Sequence, residues 1–81
     1  MKYVYKTKGT CSTNIELNVE DGIVKDVAFC GGCNGNLQGI SHLVKEMRVE
    51  DVIQKLEGIR CGGKSTSCPD QLCNALREMG Y

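Results

Sequence analysis

Six cysteines stand in a chain of 81 residues: Cys11, Cys30, Cys33, Cys61, Cys68 and Cys73. As thiolates they are nucleophiles and ligands for soft metal ions; oxidised in pairs they become disulfides. In a secreted chain an even count would suggest disulfides, whereas in a reducing cytoplasm metal binding or thiol chemistry is favoured. Cys30-Gly31-Gly32-Cys33 has the two-residue gap that lets both sulfurs reach one tetrahedral metal, with glycines easing the tight backbone. No second pair repeats it: six residues separate Cys61 from Cys68, and four separate Cys68 from Cys73. That spacing departs from zinc-finger patterns. Cys68 stands just before Pro69, and proline favours the first helical position, so Cys68 is expected at the N-cap. There the helix dipole favours an anion, lowers the thiol pKa and improves both ligand and nucleophile.

Other chemistry is thinly represented. No Ser/His/Asp grouping, phosphate-cradling Walker loop or dinucleotide fingerprint is visible. His42 is expected on the polar side of a helix, in water. Asp70 and Glu50-Asp51 fall at helix starts, where acidic side chains complement the dipole. Gly31 to Asn36 opens a helix but brings no lysine or arginine, which leaves little to hold an anion. Cys73 lies beside the stripe of Leu72 and Leu76 and is expected as core packing. Cys30 has the parity opposite to Phe29. The remaining four, Cys11, Cys33, Cys61 and Cys68, fall in loops at element ends, where ligand sets and reactive groups are usually built.

The elements that must position them can be read from periodicity. Lys2–Thr7 reads as a first strand. Asn14–Glu20 alternates with period two and puts Ile15, Leu17 and Val19 on one face. Asp21-Gly22 signals a hairpin, and Ile23–Phe29 forms the third strand. A two-residue loop would set Leu17 against Asp26, so a three-residue loop, Glu20-Asp21-Gly22, is expected. It pairs Val19 with Ile23 and Ile15 with Val27, leaving Lys25 as the one polar residue on the apolar face. From Asn36, the expected N-cap, the period becomes helical, with Leu37, Ile40, Leu43, Val44 and Met47 on one stripe. Val49, Val52, Ile53 and Leu56 make a second helix, stopped by Gly58. A third begins at Pro69 with Leu72, Ala75, Leu76 and Met79 inward. The expected fold is a single α+β domain over residues 1–81: a three-stranded antiparallel sheet followed by three helices packed on one face.

Composition narrows the function classes. The formal charge is zero and the pI about 6.5, with one Phe, three Tyr and no Trp. Neither a basic stripe nor a stacking platform is present, so no nucleic-acid partner is expected. No apolar run approaches the roughly 20 residues of a membrane span, so no membrane partner is expected either. Met1–Lys6 lacks an apolar stretch after its lysine, and a cytoplasmic location is the expectation. A chain this short buries only about 60% of its unfolded surface, which makes a metal or similar staple useful.

The motifs Gly9-Thr10-Cys11-Ser12, Gly31-Gly32-Cys33-Asn34-Gly35-Asn36, Ile59-Arg60-Cys61-Gly62 and Thr66-Ser67-Cys68-Pro69-Asp70-Gln71 resemble those of the TSCPD domain family. The likeness spans nearly the whole chain, which resembles the family's small stand-alone, four-cysteine members. The resemblance implies that the four family cysteines correspond to Cys11, Cys33, Cys61 and Cys68, with Cys30 and Cys73 as additions. It also implies an association with ribonucleotide reductases, to which the related domain is found attached. A catalytic reductase needs a large barrel that 81 residues cannot supply. The expected role is therefore an accessory module in which the four sulfurs hold a metal: zinc first, iron or an iron–sulfur cluster second. The alternatives are a thiol-redox element serving a reductase or other protein partner, and an inert structural or interaction domain.

Overall fold

Three strands are followed by three helices in chain order: β1 (Lys2–Lys6), β2 (Ser12–Glu20), β3 (Ile23–Gly31), α1 (Asn34–Val44), α2 (Val49–Leu56) and α3 (Cys68–Glu78). They come from a computed structural model that describes residues 1–10, 12–31 and 34–81. The strands form one antiparallel sheet in the order β1-β2-β3. As the alternation predicts, Ile15, Leu17 and Val19 are buried. Tyr5 and Tyr3 pair with Ile15 and Leu17 and pack against the same core. Val4, Glu16 and Asp26, of opposite parity, are exposed, so the core lies on one face of the sheet.

The β2–β3 hairpin departs from the three-residue loop. Glu20 pairs with Ile23 and Val19 with Val24, so the loop is the two-residue Asp21-Gly22. Both residues have positive φ, 54° and 73°, the twist that matches flanking strands in a tight hairpin. The expected clash of Leu17 with Asp26 is relieved within β3. Between Asn18/Asp26 and Val19/Val24 the register shifts, leaving Lys25 as an extra residue. This bulge brings Val27 opposite Leu17 while Asp26 faces water, and Val24 and Val27 are both buried.

α1 starts at Asn34, two residues before the expected cap Asn36, and ends at Val44. Leu37 and Val44 are buried, but Leu43 is 77% exposed. It lies about 100° round the helix from Val44, off the buried stripe. Met47 follows the helix. Glu46 turns the chain with a φ of 69°, and the next residues run beside β3. Val24 N donates to Met47 O (2.8 Å), Glu46 N to Val24 O (2.7 Å) and Val49 N to Gly22 O (2.9 Å). The start of β3 is thus covered rather than left as an open edge.

α3 closes the core with Leu72, Ala75 and Leu76, all fully buried. The Tyr3 hydroxyl, on β1, donates to the Glu78 carboxylate of α3. Cys73 is fully buried too, its Sγ 3.9 Å from Val52 O and 3.8 Å from Ile53 O of α2. Burial, reinforced by the negative charges of Asp70 and Glu57, pushes its thiol up to about 12. Cys73 is thus a packing residue. In folded, reduced protein stripped of metal, at pH 8, it should resist iodoacetamide while exposed Cys61 is alkylated, as peptide mass mapping would show. Because the folded-state value is raised, its stabilising contribution is present below the ordinary thiol pKa of 9.0. It is lost as pH rises from there toward about 12, since the unfolded chain releases that proton first.

Candidate functional site

The site is built from the first turn of α3 outward. Ser67 is the N-cap, with extended backbone (φ −150°, ψ 170°), and its hydroxyl accepts from Asp70 N at 3.2 Å. Cys68 is therefore the first helical residue rather than the cap, and Pro69 the second. The Ser67 hydroxyl, a better hydrogen-bond acceptor than a thiol, takes the cap by accepting from Asp70 N. Cys68 still sits where the unpaired N–H groups and helix dipole favour negative charge. It is nearly buried, at 7% exposure.

Thr66, Asp70 and Gln71 clamp this turn to the loops around it. Asp70 accepts from Thr66 Oγ1 through Oδ2 (2.5 Å) and from Gly58 N through Oδ1 (2.7 Å). It complements the helix dipole, as expected, and also fixes both ends of the loop between α2 and α3. Gln71, 5% exposed, donates from Nε2 to Thr66 Oγ1 (3.0 Å) and accepts from Lys8 N through Oε1 (3.1 Å). The β1–β2 loop is thereby tied to the start of α3. A Cβ on Gly9, which has a φ of +75°, would stand 3.3 Å from Thr66 Cγ2, so glycine meets both the backbone and the spacing there.

Ser12 completes the contact from the sheet. Strand alternation from Ile15 would turn Ser12 toward water. A second bulge, with Thr13 as the extra residue between Ser12/Gly31 and Asn14/Cys30, turns it inward instead. Ser12 is 4% exposed, and its Oγ lies 3.1 Å from Cys68 Sγ, within hydrogen-bonding range. Thr10 Oγ1 lies 3.2 Å from the same oxygen, and Thr7 Oγ1 donates to Ser12 O at 2.5 Å. Among the described residues no buried side-chain nitrogen or oxygen lacks a partner. Ser12→Ala removes the hydroxyl and leaves the Cys68 sulfur and the Thr10 hydroxyl without it. Thr10 Oγ1 keeps a bond to Ser12 O (3.3 Å), so the loss expected from urea unfolding is about 0.5–1.5 kcal/mol.

Of the four cysteines singled out from sequence, two are placed. Cys61 is exposed, its backbone N donating to Thr66 O (3.1 Å) and its carbonyl accepting from Lys64 N (3.0 Å). It is thus joined to the residue two before Cys68. Cys11 and Cys33 lie outside the described residues. Ser12, the residue after Cys11, lies against Cys68, and Gly31, two residues before Cys33, pairs with Ser12. The glycine-rich stretch after Gly31 lies partly outside the described residues as well. Among the described residues no three His, Cys, Asp or Glu side chains come together as a metal site. Cys30 belongs to β3 rather than to the loop after it, with its Sγ 3.8 Å from Glu16 Oε2, away from Cys68's face of the sheet. His42 is exposed, as expected.

Sequence reasoning missed Ser12, Thr66 and Gln71. The Ser67-x-x-Asp70 spacing was a legible cap signal. The inward turn of Ser12 had none, since a bulge interrupts the alternation. Of the described cysteines here, Cys61 and Cys68 offer thiols, which are soft donors, and the chain's single histidine, His42, is exposed on α1.

The sequence model described as TSCPD domain matches residues 2–80 of the chain. Comparisons with curated proteins and with solved structures returned no match.

Proposed function

This chain belongs to the TSCPD domain family, and from that premise we propose that it is a small metal-binding accessory module. Cys11, Cys33, Cys61 and Cys68 hold one ion, zinc foremost, with iron or an iron–sulfur cluster as the second choice. The 3.1 Å approach of Ser12 to Cys68 carries this reading. It brings the chain neighbour of Cys11 to Cys68, and the Ser12–Gly31 pairing brings up the strand that leads to Cys33. The Cys61–Thr66 hydrogen bond holds the fourth cysteine's loop to the same turn. Ser12 would donate to the metal-bound sulfur of Cys68, the kind of outer hydrogen bond that orients a ligand. The ion would supply cross-linking between sheet, loop and helix that a small core lacks. A ribonucleotide reductase, or another protein, is the proposed partner, and the reducing cytoplasm the proposed location. No helix among the described residues is long and apolar enough to cross a membrane.

Anaerobic purification without an affinity metal column, followed by elemental analysis and thiol titration, tests the assignment. About one zinc or iron per chain is expected, retained in Cys30→Ser and lost in Cys61→Ser and Cys68→Ser. Metal-free protein with all thiols titratable sinks the metal module.

The exposure of Cys61 favours a second reading, a thiol-redox element. Two thiols would become a disulfide, giving two electrons and two protons to a partner. A single disulfide involving Cys61 or Cys68, formed reversibly across a glutathione redox series in metal-free protein, would select it.

A further inference from the structure

The hydrogen bonds at the start of α3 form a chain whose direction is forced. Lys8 N can only donate, so the Gln71 side chain must turn Oε1 toward it (3.1 Å). Nε2 of Gln71 then donates to Thr66 Oγ1 (3.0 Å). Thr66 in turn gives its own proton to Asp70 Oδ2 (2.5 Å), while Gly58 N donates to Oδ1 (2.7 Å). The chain runs from Lys8 through Gln71 and Thr66 and ends on the Asp70 carboxylate, a group that only accepts.

The loop between α2 and α3 needs such a hold. Residues 57–65 are all exposed, and Ile59, its one aliphatic side chain, is 41% exposed. No buried side chain therefore anchors Cys61. The bonds of Cys61 N to Thr66 O (3.1 Å) and of Lys64 N to Cys61 O (3.0 Å) fix Cys61 relative to Thr66 alone. Among the described residues, the side chains of α3 that fasten this loop are Asp70, at Gly58 and Thr66, and Gln71, at Thr66. Asp70 reaches both ends. Through Lys8, three residues before Cys11 in sequence, the same chain takes in the β1–β2 loop.

We infer that Asp70 is a positioning residue for the metal: its two oxygens hold the loop of Cys61 to the helical turn of Cys68. This rests on the metal reading above and deepens it. A loop ordered on folding leaves less conformational entropy to be lost when the ion binds. A role confined to the helix dipole would need the charge of Asp70 but not its two acceptor directions.

Zinc affinity would be measured on the full reduced chain by competition with a chromophoric chelator. Asp70→Ala is expected to weaken binding about tenfold or more. Asp70→Asn keeps an acceptor for Gly58 N and an Nδ2 that can donate to Thr66 Oγ1, so it should recover most of the loss. Asp70→Glu keeps the charge but displaces both oxygens, and should not. Unchanged affinity in Asp70→Ala, or recovery by glutamate where asparagine fails, would overturn the inference. Amide exchange in metal-free protein gives a second readout. In Asp70→Ala the Cys61 amide should quicken more than those of Val52 and Leu76 in the core. Equal quickening at all three would mean a general loss of stability and would also overturn it. A parent chain that binds no zinc removes the metal reading instead, and the exchange comparison then decides by itself whether Asp70 holds the loop.

Discussion

Replacing Leu72 by alanine is expected to destabilise the chain by about 2–5 kcal/mol, the range for deleting a fully buried leucine. Leu72 is completely enclosed in the cluster that joins β2, β3, α2 and α3. A domain of this length has a total stability of roughly 4–12 kcal/mol, so the loss is a large part of it. The position also concerns the site. Leu72 lies four residues after Cys68, on the same face of α3, so the packing that seats Leu72 also holds the sulfur against Ser12. Urea unfolding followed by circular dichroism checks the magnitude, and unchanged stability would mean that the core has been misassigned. Leu43→Ala provides the contrast, because Leu43 is 77% exposed and its loss should fall within about 0.5 kcal/mol of zero.

If the four cysteines hold an ion as proposed, stripping it from reduced protein is expected to cost about as much. An ion that binds only the folded chain, present at a thousand times its dissociation constant, contributes about 4 kcal/mol. For a domain of this size that corresponds to roughly 15–30 °C in Tm. Melts in the presence of zinc and of a chelator, both under a reductant that does not bind zinc, measure the difference. The variants Cys61→Ser and Cys68→Ser should melt at one temperature under both conditions, and Cys30→Ser should behave as the parent. The zinc effect should also shrink as pH falls, because protons compete with the ion for thiolates. Identical melts of the parent with and without chelator would remove the metal as a source of stability. The accessory role would then rest on thiol chemistry or protein contact alone.

The two bulges matter for both results. Lys25 re-phases β3 so that Val27 joins the core, and Thr13 re-phases β2 so that Ser12 does. Without the first, a carboxylate would oppose Leu17. Without the second, Ser12 would face water and Cys68 would lose its hydroxyl neighbour. The same device, one extra residue in one strand, serves packing at one end of the sheet and the candidate site at the other.

Much of the architecture was legible in the residues themselves. Ile15, Leu17 and Val19 at period two, and Leu72, Ala75 and Leu76 at helical spacing, declared a half-buried sheet and an amphipathic helix, because side-chain direction follows backbone period. Gly58 after Leu56 and Pro69 at the start of α3 marked their boundaries through backbone dihedral limits, which are local. The six cysteines, the packing role of Cys73 and the family motifs could likewise be taken from the chain. The register of the hairpin, the exposure of Leu43 and the inward turn of Ser12 could not. Each depends on which distant partner supplies hydrophobic contact or a hydrogen bond, and a bulge changes that partner without changing composition. The clamp of Thr66, Asp70 and Gln71 is of the same kind. Its residues belong to a motif legible in sequence, but their partners are not: only the tertiary packing of the β1–β2 loop against α3 gives Gln71 a backbone N–H to accept and Cys68 a hydroxyl at 3.1 Å.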